Sequence, residues 1–289
     1  MRVLVTGAAG QVGTEVVADL RRRAAERRRG PVLDVVPADR SALDVADRDA
    51  VLAAIGTIQP EVIIHSAAWT AVDACESDSD RAYGVNALGT RNVSEAARLV
   101  GAHVCYLSTD YVFDGTSPRP YLEWDDPNPL SVYGRSKLGG ERELDPGHTI
   151  VRTAWVCGRA GANMVKTVLR LAGGGDRLRF VNDQRGSPTA AADVAKTVVD
   201  LSLGRHPGVF HVTNQGATTW YELARLVVRA AGQDPERVES ISTSELSPPR
   251  PAPRPANSVL ENAALRLMGW EPLPSWEQAI TELVAELTA

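Results

Sequence analysis

An apolar run, Val3-Leu4-Val5, leads directly into Thr6-Gly7-Ala8-Ala9-Gly10-Gln11-Val12-Gly13 and then into a helical stretch. This arrangement constrains the fold more than anything else in the chain. A strand that turns sharply through glycines into a helix presents free backbone N–H groups and the positive end of the helix dipole at one point. Glycines let the backbone approach a pyrophosphate closely, and the helix N-terminus attracts its charge. The spacing is Gly-x-x-Gly-x-x-Gly rather than Gly-x-Gly-x-x-Gly, but the physics is shared. Placed after the first strand, the motif predicts a dinucleotide site at Gly7, Gly10, Gln11, Val12 and Gly13.

The rest of the chain alternates in the same rhythm. Strands are expected at 34–38, 62–65, 103–108, 149–152 and 209–212. Helices are expected at 11–28, 47–57, 79–100, 131–144, 163–172, 190–203 and 220–231. Continuous apolar strands joined by helices imply a parallel sheet covered on both faces. The expected fold is therefore α/β: a Rossmann-type doubly wound parallel sheet with a smaller C-terminal α/β substrate-binding domain. Residues 1–152 form the first unit, residues 190–215 return to it, and 153–289 make the second. The proline-rich stretch 247–255 reads as an ordered loop lining a cleft, since proline lacks the donor that helices and central strands need. Helical sequence is expected to resume at Leu260 and run beyond Trp276.

Bulk properties narrow the functional classes. The net charge of −5 gives no indication of nucleic acid or an anionic membrane as partner. The Arg-rich run 21–29 reads as the solvated end of the first helix, with Gly30 as its stop. No apolar run approaches the roughly 20 residues a membrane helix requires, and the N-terminus reads as a strand rather than a signal peptide. Cys75, Cys105 and Cys157 are odd in number and widely spaced, which suits buried thiols of a cytoplasmic protein.

The second strand should end at the residue that reads the adenosine ribose. Asp39 stands there with Arg40 beside it. A carboxylate favours NADH by binding the 2′-hydroxyl, and an arginine accommodates the 2′-phosphate of NADPH, so either cofactor is expected. Asp44 and Val45 are placed beside the adenine. Ala67, Ala68 and Trp69 follow the third strand, where small residues let backbone pass close to the cofactor.

Chemistry is indicated by Tyr133 and Lys137, four residues apart and hence on one face of a helix. The pairing predicts that the ammonium lowers the phenol's pKa and readies it for proton exchange. Thr109 and Asp110 begin a turn at the carboxyl end of a strand, where open α/β sheets bind ligands. The Thr109 hydroxyl can polarise a carbonyl oxygen there, with Ser108 adjoining the cofactor. Asn86 is a candidate anchor for a water that passes protons to Lys137. Thr109, Tyr133, Lys137 and Asn86 are the catalytic candidates.

Several stretches resemble the extended short-chain dehydrogenase/reductase family, and within it the reductases of dTDP-4-keto-6-deoxysugars. The resemblance rests on Gly7–Gly13, 71–76, 108–115, 133–137, 152–156, 182–189 and 254–258, and spans nearly the whole chain. It implies that NADPH or NADH reduces the 4-keto group of dTDP-6-deoxy-L-lyxo-4-hexulose to give dTDP-L-rhamnose. It also implies substrate contacts from Thr109, Asp110, Trp155, Asn163, Arg185, Arg254 and Asn257, with Trp155 against the sugar and Arg254 and Asn257 near the nucleotide. Dehydratases of the family carry Asp-Glu after the active threonine; here Asp110 precedes Tyr111. A 4-ketoreductase of another dTDP-deoxysugar, or a nucleotide-binding regulatory subunit without turnover, stays open. Some members form metal-linked dimers through carboxylates. Glu15 fits one such position, but Ala192 stands where a second acid would be needed. No metal is assigned, and a monomer or a homodimer is expected.

Overall fold

The computed structural model describes residues 1–26 and 32–289. Six parallel strands form the main sheet: β1 Arg2–Thr6, β2 Asp34–Ala38, β3 Val62–His65, β4 His103–Thr109, β5 Thr149–Thr153 and β6 Gly208–His211. Their spatial order is β6-β5-β4-β3-β1-β2. Strand order reverses between β1 and β3, so the crevice beyond their carboxyl ends is the ligand position such sheets favour.

The strands are apolar along their length because both faces are covered. Val3, Val5, Val62 and Ile64 join Val16, Leu20, Val194 and Val198 in one core. Leu4, Ile63 and Val104 point the other way and pack with Val51, Ile55 and Val93. Helix α1 (Gln11–Glu26) and helix Ala191–Leu203 pair on the first face. α2 (Arg48–Ile58) and helix Gly89–Val100 pair on the second. Asp47 starts α2 by accepting from the Ala50 N–H.

Residues beyond β5 build a further apolar cluster from Val165, Val168, Leu223, Val227, Val228, Ile280 and Val284. Two short strands, Leu178–Val181 and Val238–Ile241, pair in parallel beside it. Segment 191–211 meanwhile contributes a helix against α1 and the edge strand β6.

Two expectations need correction. Segment 79–100 is not one helix: α-helix Ser79–Tyr83 passes into a π-helical turn, Gly84–Leu88, before α-helix resumes at Gly89. Helix does not run from Leu260 to Trp276 either. A short helix, Ala263–Leu267, stops before Gly269 at φ +76°, and Pro272 and Pro274 delay the next start to Trp276. In the loop 247–255, Arg254 binds Asp73 and Pro255 abuts Gly115. Within the arginine run, Arg22 pairs with Asp19 and Glu26, and Arg23 with Asp19 and Asp200. Arg27 to Arg29 and the Gly30 stop lie outside the described residues.

Candidate active site

The glycine turn is built by contacts that admit no side chain. Gly7 has φ +67°, and a Cβ there would meet the Ala67 N at 2.6 Å. A Cβ on Gly13 would lie 2.2 Å from the Gly7 carbonyl oxygen. β1, the N-terminus of α1 and the turn after β3 are thus pressed together at the sheet's switch point.

Two cavities open there. One, about 240 Å³, is lined by Gly7, Gly10, Asp39, Arg40, Asp44, Val45, Ala67, Ala68 and Trp69 among others. The other, about 630 Å³, is lined by Gly10, Gln11, Val12, Gly13, Ser108, Thr109, Asp110, Tyr133, Lys137, Trp155, Asn163 and Trp220, among others. Gly10, Ser66 and Ala68 belong to both walls, so the two form a continuous cleft astride the switch point. The glycine turn, the small walls and a carboxylate beyond them fit a dinucleotide. Asp39 holds its loop: one oxygen accepts from the Ser41 N–H at 2.8 Å, the Ser41 hydroxyl at 2.6 Å and the Ala42 N–H at 3.1 Å. The Ser41 hydroxyl and these N–H groups hold its carboxyl below the usual range. Arg40 is exposed and reaches Asp44 at 3.4 Å.

Tyr133 and Lys137 lie on helix Val132–Glu141, whose start is fixed by Ser131 accepting from the Gly134 N–H at 3.1 Å. Burial pushes the Tyr133 phenol above its ordinary value, with the Thr109 hydroxyl acting in the opposite sense. The sequence expectation of a lowered phenol is therefore wrong for this state. The Lys137 Nζ sits 4.1 Å from the Tyr106 ring centroid rather than against the phenol oxygen, and desolvation outweighs any cation. Burial also lowers Lys137 to about 7, with Glu141 pulling the other way. Burial raises Asp110 to about 7; one of its oxygens accepts from Thr109 Oγ1 at 3.0 Å and the other has no partner.

Asn86 lies within the π-helical turn, a form that recurs at functional sites. Its amide clamps the backbone of Trp69, accepting from the N–H at 2.8 Å and donating to the carbonyl at 3.1 Å, and also donates to Ser136 Oγ at 2.9 Å. Both amide hydrogens are committed to these bonds, while Oδ1 keeps a second lone pair. The Asn86 backbone carbonyl accepts from Thr90 Oγ1 at 2.8 Å and from the Tyr106 hydroxyl at 3.3 Å. Ser108 turns its hydroxyl to Glu141. Asn163 caps the helix that follows it and donates to Gln11 at 3.1 Å.

Trp155 has φ +45°, an uncommon conformation for a bulky residue. One of its faces is covered by Trp220, with centroids 3.5 Å apart and planes within 4°. Trp220, which sequence reasoning missed, lies 65 residues away with no local signal. Arg185, Arg254 and Asn257 are not in the cavity wall. Arg185 bonds residues 256 and 258 through its backbone. Arg254 pairs with Asp73, Nη2 to Oδ2 at 2.7 Å. Asn257 donates to the carbonyl of Ser117 at 2.9 Å. Glu15 is paired with Arg159 at 2.9 Å.

The family described as the RmlD substrate binding domain matches residues 1–289. The chain belongs to this family. A dTDP-4-dehydrorhamnose reductase of Streptomyces griseus is 42% identical over 97% of this chain and 92% of its own. A probable dTDP-4,6-dihydroxy-2-methyloxan-3-one 4-ketoreductase of Streptomyces antibioticus is 40% identical over 100% and 96%. Among solved structures, a dTDP-4-dehydrorhamnose reductase of Clostridium acetobutylicum aligns over 100% of both chains, with TM-score 0.93 and 39% identity. One of Bacillus anthracis, in complex with NADP, covers 99% of both, with TM-score 0.90 and 37% identity. The chain shares its Rossmann-like sheet with these solved structures and is an NAD(P)H-dependent oxidoreductase. Among the described residues no helix is long and apolar enough to cross a membrane.

Proposed function

We propose that this chain reduces the 4-keto group of dTDP-4-dehydrorhamnose to give dTDP-L-rhamnose, using NADPH or NADH in the cytoplasm. The carrying observation is one cavity wall that joins Thr109, Tyr133 and Lys137 to the glycine turn. A bound reduced nicotinamide supplies the hydride. Gly7, Gly10 and Gly13 take its pyrophosphate, and Asp39 with Arg40 takes the adenosine ribose. Thr109 orients the ketone through its oxygen. Tyr133, kept protonated by burial, gives its proton to that oxygen as the carbonyl becomes an alcohol. Lys137 lies one turn away and offsets the charge left on the phenol. Trp155, braced by Trp220, borders the deoxysugar.

The relative from Streptomyces antibioticus is nearly as similar as the one from Streptomyces griseus, which favours a second reading: a 4-ketoreductase of another dTDP-deoxysugar. Oxidation of NADPH and NADH is measured with the dTDP-4-keto sugar, and NMR of the product assigns the C4 configuration. Tyr133→Phe is expected to lower kcat by about 10²–10⁴-fold. Full activity in that variant removes the phenol as donor, and a product other than the rhamnose epimer selects the second reading.

A further inference from the structure

One buried charged cluster takes no direct part in the reduction. Glu141 lies one helical turn beyond Lys137 on the catalytic helix. Arg152 of β5 grips it through Nε at 3.0 Å and Nη2 at 2.7 Å. Ser108, next to Thr109 at the end of β4, donates to the same carboxylate. Glu141 and Arg152 are both about 95% buried. Arg152 also stands over Phe113, 5.2 Å from the ring centroid, and reaches the Glu123 carbonyl at 3.4 Å. A pair so deep gains little net stability, because desolvation offsets the Coulombic attraction, yet removing one partner strands a buried charge. This one ties together β4, which carries Thr109, β5, which leads to Trp155, and the helix carrying Tyr133 and Lys137.

We propose that the Glu141–Arg152 pair, keyed by Ser108, acts as the positioning device that fixes the catalytic helix against β4 and β5 and holds a carboxylate one turn from Lys137. The proposal deepens the reductase reading and rests on it for its catalytic meaning. Its electrostatic content stands separately. Glu141 favours the ammonium, while burial opposes it. His65 of β3 feels Lys137 but is itself held neutral by burial, with its ring between Thr6 and Thr90. Tyr106 of β4 offers the ammonium only its ring face. Asp110 and Tyr111 of the following turn, and Cys75 of helix Val72–Ser77, act on Tyr133. Arg91 and Glu143 pair on the exposed rim. Glu141 is thus the anion that acts on Lys137, and Arg152 is the group that moderates it.

The chain has three lysines, Lys137, Lys166 and Lys196, so full-length protein labelled with ¹³C at lysine gives a readable NMR titration between about pH 5 and 10. Lys166→Arg and Lys196→Arg assign the signals. Glu141→Gln is expected to move the Lys137 midpoint to lower pH by about one unit or more, because the anion is lost and Arg152 is left unpaired. Arg152→Met is expected to move it to higher pH, because the carboxylate is no longer neutralised. The alkaline limb of the reductase profile should move in the same two directions. A purely structural pair would lower stability in both variants without opposite shifts. Equal signs, or a midpoint unmoved in both, overturn the proposal. Should either single variant fail to fold, the double variant Glu141→Gln/Arg152→Met leaves no unpaired charge; its midpoint is expected below wild type, and an unchanged one overturns the proposal. The expected NMR shifts in a protein that does not reduce the sugar nucleotide would sink the reductase reading and leave the electrostatic device standing.

Discussion

Gly13→Ala tests the cofactor cleft at its narrowest point. The added Cβ would lie 2.2 Å from the Gly7 oxygen, 2.9 Å from the Gly7 carbonyl carbon and 3.0 Å from the Ala8 Cα. All three are backbone atoms, so no side-chain rotation relieves the overlap. A normal carbon–oxygen contact is about 3.3 Å, so the turn must retreat by about 1 Å. It cannot retreat freely, because the Gly10 N–H bonds the Gly7 oxygen at 2.9 Å and Gly7 is already against Ala67. Overpacking of this kind costs about 1–3 kcal/mol. It falls on the backbone N–H groups that would face the pyrophosphate, so affinity for NADPH and NADH should fall about 10- to 100-fold. Calorimetric titration with each cofactor reads this directly. Gly56→Ala is the control: it lies within α2, its Cβ would meet nothing within 4 Å, and it should leave cofactor binding unchanged. Wild-type affinity and an unchanged Tm in Gly13→Ala would refute the packing argument.

Lys137→Met should abolish reduction yet stabilise the fold near pH 7. The folded lysine is lowered to about 7, well below its unfolded value of about 10.4. The unfolded chain therefore holds this proton more tightly between those values, and the wild type gains stability from this residue as pH rises through that window. The variant should lose that rise in Tm across the window; a variant less stable than wild type at pH 7 contradicts the assignment. Asn86→Ala leaves the Trp69 N–H and carbonyl without their clamp, at a cost of about 1–3 kcal/mol. Weaker cofactor binding by fluorescence titration is expected, and unaltered binding would show that the Trp69 turn holds itself.

Much of the sheet was legible because its signals are local. β2 and β3 occur at the positions expected, since buried parallel strands read as short apolar runs bounded by turn residues. The glycine turn and the Tyr133–Lys137 pair were legible for the same reason: spacing along one element fixes direction. The π turn at 84–88 was not legible, because its residues satisfy an ordinary helical pattern and only packing around Asn86 distinguishes it. The roles of Arg254 and Asn257 rest on resemblance, and their partners in this structure are the Asp73 carboxylate and the Ser117 carbonyl.

The chain's order of apolar runs, glycines and helix caps determined by itself that a parallel sheet would carry a dinucleotide turn and a tyrosine–lysine face, because each depends on neighbours a few residues apart. The tertiary structure alone decided the charge state of that face. Desolvation of Tyr133 and Lys137, the stacking of Trp220 on Trp155 and the closure of Arg152 on Glu141 arise between residues brought together from distant parts of the chain. The energy of a charge depends on what surrounds it in space.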